Sequence, residues 1–431
     1  MTADQADQAD QVADVQQRPA PPPLRRNLDF NLLWSGQAVS ALGTQMSGIC
    51  YPLLVLSATG SAAQAGLVGG ATLAGSLLML LPAGVVADRY PRKRLLLITS
   101  VLQLLAVGSV VPAVLSHHVW LAHLMLVGVV QGCSSAFFMG ASRGAVRRIV
   151  PSEQLPQAMA LTQARGQAAA MIGPPVGGAL YGVAQSLPFL LDALSFGAIT
   201  LTSALVRGSL DPEPDPDAGS AGRPREPIGR LVTAGTRYVL GNPTLRMYAL
   251  WAAAVNAVAA GMLLMVIVLA RGRGANAPEV GALVSASALC GLAGSLLGPR
   301  LVKLFGGRLW VLVTSWLLPT CAVGIAFSPW VWLMAVLGAL TTFTVMPAVI
   351  VFQVQATRIT PDNLQAQTGN AIQLFGSSLS WLAPSVFGLL ADSAGARTAI
   401  LVAAALYGAT ALWLQGNRAL RGFDETSVSV H

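Results

Sequence analysis

The chain has 431 residues, of which 54% are hydrophobic and 10% are charged, and its formal net charge is +8. A soluble domain carries about 25% charged residues, so this composition excludes an ordinary globular protein and indicates a polytopic membrane protein. A membrane helix needs about 20 apolar residues, so the apolar runs allow roughly 12 spans with short connections. The runs are continuous and rich in Leu and Ala, which excludes the alternating pattern of a membrane β-barrel.

The predicted order of segments is a tail, two apolar halves with a linker between them, and a second tail. Residues 1–26 repeat Ala-Asp-Gln and then become rich in proline, so we expect a disordered tail. Residues 27–206 and 244–417 are each expected to form a six-helix bundle. Residues 207–243 are rich in Asp, Pro and Arg, which is typical of a solvated cytoplasmic linker. Residues 418–431 are expected to be a cytoplasmic tail.

The distribution of basic residues predicts the orientation of these spans. The candidate spans are 30–56, 63–87, 95–115, 119–142, 155–183, 187–206, 244–270, 278–302, 308–327, 330–356, 364–390 and 397–416. The connections on the side of the two termini hold 22 of the 26 Lys and Arg residues, and the opposite connections hold three. Basic loops stay in the cytoplasm, so we expect both termini there. Membrane topology then explains the positive net charge, and a nucleic-acid partner is not needed to account for it.

The two halves repeat each other at an offset of 210 residues. The matched pairs are Arg148 and Arg358, Pro151 and Pro361, Gln157 and Gln367, Gln163 and Gln373, Gly166 and Gly376, Pro174 and Pro384, and Gly178 and Gly388. Two parallel repeats of six spans are typical of transporters that move substrate between their halves. The sequence therefore predicts an all-α membrane protein, with 12 helices in two pseudo-symmetric bundles.

The connection after the second span contains the motif Gly84-Val-Val-Ala-Asp88-Arg89-Tyr-Pro-Arg92-Lys93-Arg94. It resembles the cytoplasmic loop signature of the major facilitator superfamily, although proline stands where that signature has its second glycine. The resemblance implies a cytoplasmic gate in which Asp88 pairs with a basic group. The predicted gate residues are Gly84, Asp88, Arg89, Arg92, Lys93 and, as a candidate partner, Arg143. The alternative is that the basic residues only set the topology.

The fifth span contains a glycine- and proline-rich run that resembles the G-P-x-x-G-G element of the superfamily's exporters. Its residues are Gly166, Gly173, Pro174, Gly177 and Gly178. The alternative is that these small residues only allow helices to pack closely, which is common in membrane proteins of any function. The segment from Pro188 to Phe196 is similar to the drug:proton antiporter group, which contains macrolide-efflux and enterobactin-exporter proteins. The resemblance covers residues 28–420, and it implies the 12-helix fold and export.

Two charged residues are predicted inside the membrane. Arg165 lies about 15 Å into the fifth span, and Asp192 enters the sixth span from the opposite side, so the two side chains are expected within reach of each other. Charges at such depth are candidates for function. Asp192 is then a coupling residue for protons, and Arg165 lines the pathway. The alternatives are a structural ion pair, and an aspartate stabilised by its helix N-terminus.

Polar and aromatic side chains recur along one face of several spans and predict the lining of a cavity. The candidates are Gln37, Gln45, Gln131, Phe138, Asn256, Gln373 and Trp381. Amides and aromatics with few charges are suited to a largely apolar ligand with scattered hydrogen-bonding groups. The alternative interpretation is hydrogen bonding between helices of the bundle.

No other chemistry is indicated by the sequence. It contains no phosphate-binding G-x-x-x-x-G-K-[ST] loop, and its four cysteines fall in apolar runs without metal-ligand spacing. We therefore expect no enzyme activity, no cofactor and no metal. No acidic residue lies well inside the first, fourth, seventh or tenth span, so the superfamily's usual carriers of proton coupling are absent.

These observations together predict a monomeric secondary transporter of a bacterial plasma membrane. We expect it to export a small amphipathic organic molecule, such as a drug, an antibiotic or a siderophore-like compound, by alternating access and proton antiport. Its expected partners are that small molecule, protons and the lipid bilayer. The alternatives are an importer or facilitator of the same fold, and a membrane receptor that keeps the fold without transport.

Overall fold

A computed structural model describes residues 23–211 and 228–423. Residues 1–22 of the predicted first tail, residues 212–227 of the predicted linker and residues 424–431 of the predicted second tail lie outside the described part. Within that part, the regular elements are fifteen α-helices, joined by turns and short 3₁₀ segments.

The first half contains seven of these helices and the second half contains eight. The first seven are α1 (Leu28–Thr59), α2 (Ala62–Arg89), α3 (Arg92–Gly108), α4 (Val110–Leu115), α5 (Leu121–Ile149), α6 (Leu155–Val183) and α7 (Leu187–Leu205). The remaining eight are α8 (Ile228–Gly241), α9 (Pro243–Gly272), α10 (Ala277–Phe305), α11 (Gly307–Phe327), α12 (Val331–Ile359), α13 (Gln365–Ser377), α14 (Ala383–Ala394) and α15 (Ala396–Gly416).

These helices form twelve segments that cross the bundle. Ten segments are long and apolar enough to span a membrane, counting α3 and α4 as one. The other two are α6 and the pair α13–α14, at the positions of the fifth and eleventh predicted spans, where Gln, Gly and Ser lower the hydropathy. Twelve segments in two groups of six confirm the predicted fold class.

Polar caps place the starts of several spans. The side chains of Asn27, Ser61, Asn242 and Asn276 accept hydrogen bonds from backbone N–H groups in the first turns of α1, α2, α9 and α10. These caps satisfy donors that have no partner within the helix. At the other end of α1, Gly60 adopts a left-handed conformation with φ 68°, which glycine reaches without strain.

The eleventh span is broken where the fifth span is continuous. Helix α13 ends at Ser377, and α14 begins at Ala383 with Pro384 in its first turn. Proline is favoured in a first turn because its missing N–H is not needed there. Its repeat partner Pro174 lies inside the unbroken α6. The repeat therefore predicts two equivalent spans but not the break.

The two halves pack together at the end of the bundle that holds the first turns of α2 and α10, which we call the closed end. There a Cβ on Gly66 would meet the carbonyl of Pro384, and one on Gly178 would meet the carbonyl of Ala277. The helix pairs α2–α14 and α6–α10 therefore approach to backbone distance, as small residues allow. The opposite end, which carries the start of α1 and the end of α15, is called the terminal end.

Helix α8 lies in the interval that was expected to be a linker. The hydroxyl of Tyr238 donates a 2.6 Å hydrogen bond to the carbonyl of Ile359 at the end of α12. Gly235 packs so closely on α13 that a Cβ would meet the carbonyl of Gln367. The chain before α9 is therefore attached to the second half at the terminal end.

Candidate transport pathway

Burial along α6 locates a cleft between the halves. The buried positions in its last four turns are Ala169, Gly173, Pro174, Gly177, Gly178 and Tyr181. Over residues 156–168, in contrast, Ala158 is the one buried residue. Because the last turns of α6 belong to the closed end, the packing between the halves opens toward the terminal end.

A cavity of about 520 Å³ lies in the second half, between α9, α12 and α13. Two of the predicted cavity residues, Asn256 and Gln373, are among its lining. The side-chain amide of Asn256 donates a 3.2 Å hydrogen bond to the carbonyl of Gly376, and its oxygen has no hydrogen-bond partner among the described residues. Both side chains are exposed to this space. The wall is formed by amides, hydroxyls and small apolar groups.

Gln37 and Arg165 are joined by a direct hydrogen bond. One guanidinium nitrogen of Arg165 donates to the side-chain oxygen of Gln37 at 2.7 Å. The amide of Gln37 in turn donates to the hydroxyl of Ser142 at 2.7 Å. Gln37 is 4% exposed, so it connects α1, α5 and α6 inside the first half and does not line the observed cavity.

Asp192 is fully buried between α7 and α1. Its carboxylate accepts a 2.5 Å hydrogen bond from Ser47 and a 3.5 Å hydrogen bond from Thr44, both on α1. Ser195, one turn further along α7, donates at 3.3 Å. A buried carboxyl surrounded by hydroxyl donors is stabilised whether it is protonated or charged, because each hydroxyl can either donate or accept.

The expectation that Arg165 and Asp192 approach each other is wrong. Arg165 contacts α1 at Gln37, whereas Asp192 contacts α1 at Ser47. These two positions are ten residues apart, which is about 15 Å along a helix. The two charged residues therefore lie at different depths, and the ion-pair interpretation fails for this state of the protein.

The predicted gate residues lie at the terminal end, where two of them hold the chain that leaves α7. Arg92 donates to the carbonyls of Gly144 and Leu210 at 3.1 and 3.2 Å, and Lys93 donates to the carbonyl of Val206 at 2.7 Å. In this state Arg92 and Lys93 therefore attach the chain after α7 to the rest of the first half.

The other gate residues are less constrained. Gly84 and Arg89 are exposed on the last turns of α2. Arg143 is also exposed, and its guanidinium contacts the sulfur of Met139 at 3.4 Å. The side chain of Asp88 is outside the described part of the chain, so its pairing with Arg143 stays a prediction.

The exporter-type run divides between three environments. Gly173 and Gly177 pack against Gln45 and Met46 of α1, so close that a Cβ would meet those residues. Gly178 packs as closely on Ala277 of α10, and a Cβ on Gly281 of α10 would meet the carbonyl of Pro174. Gly166 has no atom within 4 Å of the position of a Cβ. The run thus forms part of the closed end, and Gly166 lies apart from it.

The remaining predicted cavity residues are dispersed. Gln45 is half-buried beside Gly173, Gln131 is 7% exposed within α5, and Phe138 is half-buried against the apolar core. Trp381 lies in the break between α13 and α14 and is 40% exposed. None of the four is among the residues that line the 520 Å³ cavity.

Sequence reasoning missed Asp392, at the end of α14. Its carboxylate accepts hydrogen bonds from the hydroxyl of Ser61 at 2.6 Å and from the backbone N–H groups of Ala62 and Ala63 at 2.8 and 3.0 Å. Asp392 therefore caps α2 from the other half of the molecule. The available signal was an acid immediately after an apolar span, but its partners are about 330 residues away along the chain.

The described residues contain no group of three or more His, Cys, Asp or Glu side chains that could hold a metal ion. Cys50, Cys133, Cys290 and Cys321 are free thiols. What these described residues offer chemically is hydrogen bonding, apolar contact and the buried carboxyl of Asp192.

Comparison with known proteins connects this architecture to transport. The chain is 29% identical over 286 residues to the enterobactin exporter EntS of Shigella boydii, and the match covers 64% of this chain and 65% of that protein. The fold is similar to that of a bacterial homologue of the human lysosomal transporter Spinster in an inward-facing, unoccupied conformation, with a TM-score of 0.76 and 15% sequence identity. The match covers 94% of this chain and 98% of that one. The fold is also similar to that of a variant of the nucleoside transporter NupG, with a TM-score of 0.71 and 11% sequence identity. That match covers 91% of this chain and 99% of the NupG chain.

The family assignment rests on a match to a family profile that covers more than half of the chain. Residues 33–269 match the sequence profile of the Major Facilitator Superfamily. This stretch extends from the first span, through the gate-like motif and the glycine-rich α6, into the seventh span. The chain therefore belongs to the Major Facilitator Superfamily of membrane transporters.

Proposed function

We propose that this transporter exports a small amphipathic organic molecule across the inner membrane of a bacterium. The observation that carries the proposal is the cleft: the halves pack together at the closed end and separate toward the terminal end, beside a cavity with an uncharged polar wall. The exporter-type run in α6 supports the direction, as does the similarity to proteins described as enterobactin exporters.

The orientation is part of the same proposal. The concentration of basic residues on the side of the termini supports a cytoplasmic position for the terminal end. The cleft then faces the cytoplasm, where an exporter takes up its substrate. Export follows when the contacts at the closed end separate and the terminal end closes, with the halves rocking about the site between them.

Asp192 is the proposed coupling residue for protons. It is the acid that the structure buries in a span of the first half, among three hydroxyl groups. Thr44, one of these partners, is itself exposed, and we infer that it connects Asp192 to the cleft. Binding a proton removes a charge from the interior, which lowers the free energy needed to move α7 against α1.

Asp88 is the proposed acid of the cytoplasmic gate. In the state described here the terminal end is open, so a latch that closes this end has no reason to be engaged. Its proposed basic partner, Arg143, is exposed at the end of α5. A pair between these residues would form only when the terminal end closes.

Uptake into inverted membrane vesicles tests direction and coupling together. The lumen of such vesicles corresponds to the outside of the cell, so an exporter accumulates substrate there when the lumen is made acidic. Enterobactin, erythromycin and ethidium serve as probes of three chemical classes. Accumulation of one of them that is abolished by a protonophore supports proton-coupled export. Uptake in right-side-out vesicles alone would instead identify an importer.

A further inference from the structure

The cavity in the second half differs in chemistry from the matching region of the first half. None of its fourteen lining residues is charged. The 210-residue repeat places Gln353, Thr357, Gln365 and Thr368 of the cavity at the positions of Arg143, Arg147, Leu155 and Ala158. At these four positions the first half is basic or apolar where the second half is neutral and polar, whereas Gln373 is matched by an amide of the first half, Gln163.

Several polar groups on this wall have no hydrogen-bond partner among the described residues. The phenol ring of Tyr248 is held by a stacked contact with Phe352, with centroids 4.8 Å apart and an interplanar angle of 3°. Its hydroxyl makes no hydrogen bond within the part of the chain that the structure describes, and neither do the side-chain amides of Gln353 and Gln373. These groups supply donors and acceptors to whatever fills the cavity.

Thr368 is a second, independent indication of a ligand. This residue lines the cavity and is 2% exposed, and its hydroxyl is buried without a hydrogen-bond partner in residues 23–211 and 228–423 as described. Leaving a buried hydroxyl unpaired is unfavourable, so such groups in proteins normally have a protein, water or ligand partner. A bound hydroxyl or amide group would supply one.

We propose that this cavity is a subsite of the second half that binds a neutral part of the transported molecule, rich in hydroxyl or amide groups. It excludes charged groups, because no lining side chain compensates a charge in a partly desolvated space. Tyr248 and Gln373 make the directional hydrogen bonds, and Ala252 and Ile372 contact the apolar part. The proposal rests on the proposed transport of a small organic molecule, but not on its direction or its coupling to protons.

Equilibrium binding to the purified full-length protein, without any gradient, tests the subsite. The neutral probes are chloramphenicol, which carries an amide and two hydroxyls, erythronolide B and inosine. Chloramphenicol succinate, an anionic ester of the same scaffold, is the charged comparison. We expect at least one neutral probe to bind, and chloramphenicol succinate to bind at least about tenfold more weakly than chloramphenicol where chloramphenicol binds.

Two substitutions localise that binding. Tyr248→Phe removes one hydroxyl and keeps the stacked ring, and we expect it to weaken the neutral probe about fivefold. Gln373→Leu should have a similar effect. The matched control is Gln163→Leu, at the repeat-related position of α6, where the side chain is also exposed; it should leave affinity unchanged.

Three results would overturn the subsite: no neutral probe binds, the anionic ester binds as well as its parent, or Gln163→Leu weakens binding as much as Gln373→Leu. If the proposed export is wrong but the subsite is right, the two experiments give different results. In that case binding to the second half is retained and sensitive to Tyr248→Phe, while inverted vesicles accumulate nothing.

Discussion

Asp392 accepts a 2.6 Å hydrogen bond from the hydroxyl of Ser61, and this contact joins the second half of the transporter to the first. The same carboxylate also receives two backbone N–H groups at the start of α2. A negative group at a helix N-terminus is favoured both by hydrogen bonds and by the helix dipole. The closed end is therefore held by polar contacts as well as by the close approach of glycines.

Asp392→Ala should shift the protein toward the state in which the closed end is open. Losing a cap costs about 1 kcal/mol, which corresponds to a shift of about fivefold in the ratio of the two states. Spin labels on Ala58→Cys and Ala394→Cys, both exposed near this end, report the distance distribution. Asp362→Asn, an exposed acid at the terminal end, is the control. An unchanged distribution in Asp392→Ala would show that the cap does not hold the halves together.

Gly66→Val should prevent the closed end from forming. The added side chain would meet the carbonyl of Pro384 across the interface, and overpacking of this kind costs about 1–3 kcal/mol. We expect normal insertion in the membrane but greatly reduced transport in vesicles. Gly69→Ala is the matched control, because its Cβ would be 4.0 Å from the nearest atom, on Pro384. Equal transport by the two variants would contradict the close approach of α2 and α14.

Asp192→Asn should separate substrate movement from the proton gradient. The amide keeps the size of the side chain but carries no titratable proton, so accumulation driven by the gradient should fall at least about tenfold while exchange without a gradient continues. Ser47→Ala keeps the carboxyl and removes its shortest hydrogen bond, so it should retain gradient-driven accumulation at a lower rate. Full accumulation by Asp192→Asn would mean that protons are carried elsewhere or not at all.

Gln37→Leu should destabilise the protein because it leaves the guanidinium of Arg165 without its hydrogen-bond acceptor. The expected loss is about 1–3 kcal/mol, as for other buried polar groups left unpaired. Adding Arg165→Leu to Gln37→Leu should recover part of this loss, because the orphaned charge is then removed as well. Thermal unfolding in detergent of both single variants and the double variant gives the coupling energy. Strict additivity of the two effects would exclude a stabilising contact.

Asp88→Asn should weaken closure of the terminal end, because it removes the negative charge of the proposed gate. A cysteine introduced at Ala164, an exposed position of α6, should then react faster with an impermeant maleimide applied from the terminal side. Arg94→Gln removes a neighbouring exposed charge that is not among the gate residues, so it tests the topological alternative. If Asp88→Asn changes neither transport nor reactivity, the latch assignment fails.

The fold was largely predictable, because its signals are local or periodic. Apolar runs predict the spans, and the pairing of Pro174 with Pro384 predicts that the fifth and eleventh spans are equivalent. Helix α8 was not predicted, since it lies in an interval dominated by charge and proline, and its partner Ile359 is distant in the sequence. The break after Ser377 also depends on packing that the repeat does not encode.

Site residues could be predicted only where the residue type by itself marks a candidate, as for an acid inside a membrane span. Burying a carboxylate is costly, so Asp192 could be selected as a candidate from the sequence alone. Its partners Ser47 and Thr44 could not be selected, because hydroxyls are common in spans and only the rotation of α1 decides which of them face α7. The same uncertainty in helix rotation explains why Asn256 and Gln373 line the cavity whereas Gln37 is buried between helices.

The two interfaces of the closed end are related by symmetry but differ in their capping. The first turn of α10 carries its own cap, since Asn276 and Glu279 bond each other's backbone N–H groups. The first turn of α2 borrows part of its cap from Asp392. When the halves part, α10 keeps its hydrogen bonds, whereas α2 must exchange Asp392 for water. The loss of capping hydrogen bonds on opening therefore falls on the interface of α2 alone. A substitution at Asp392 can change how often the closed end opens without touching the molecule that the transporter carries.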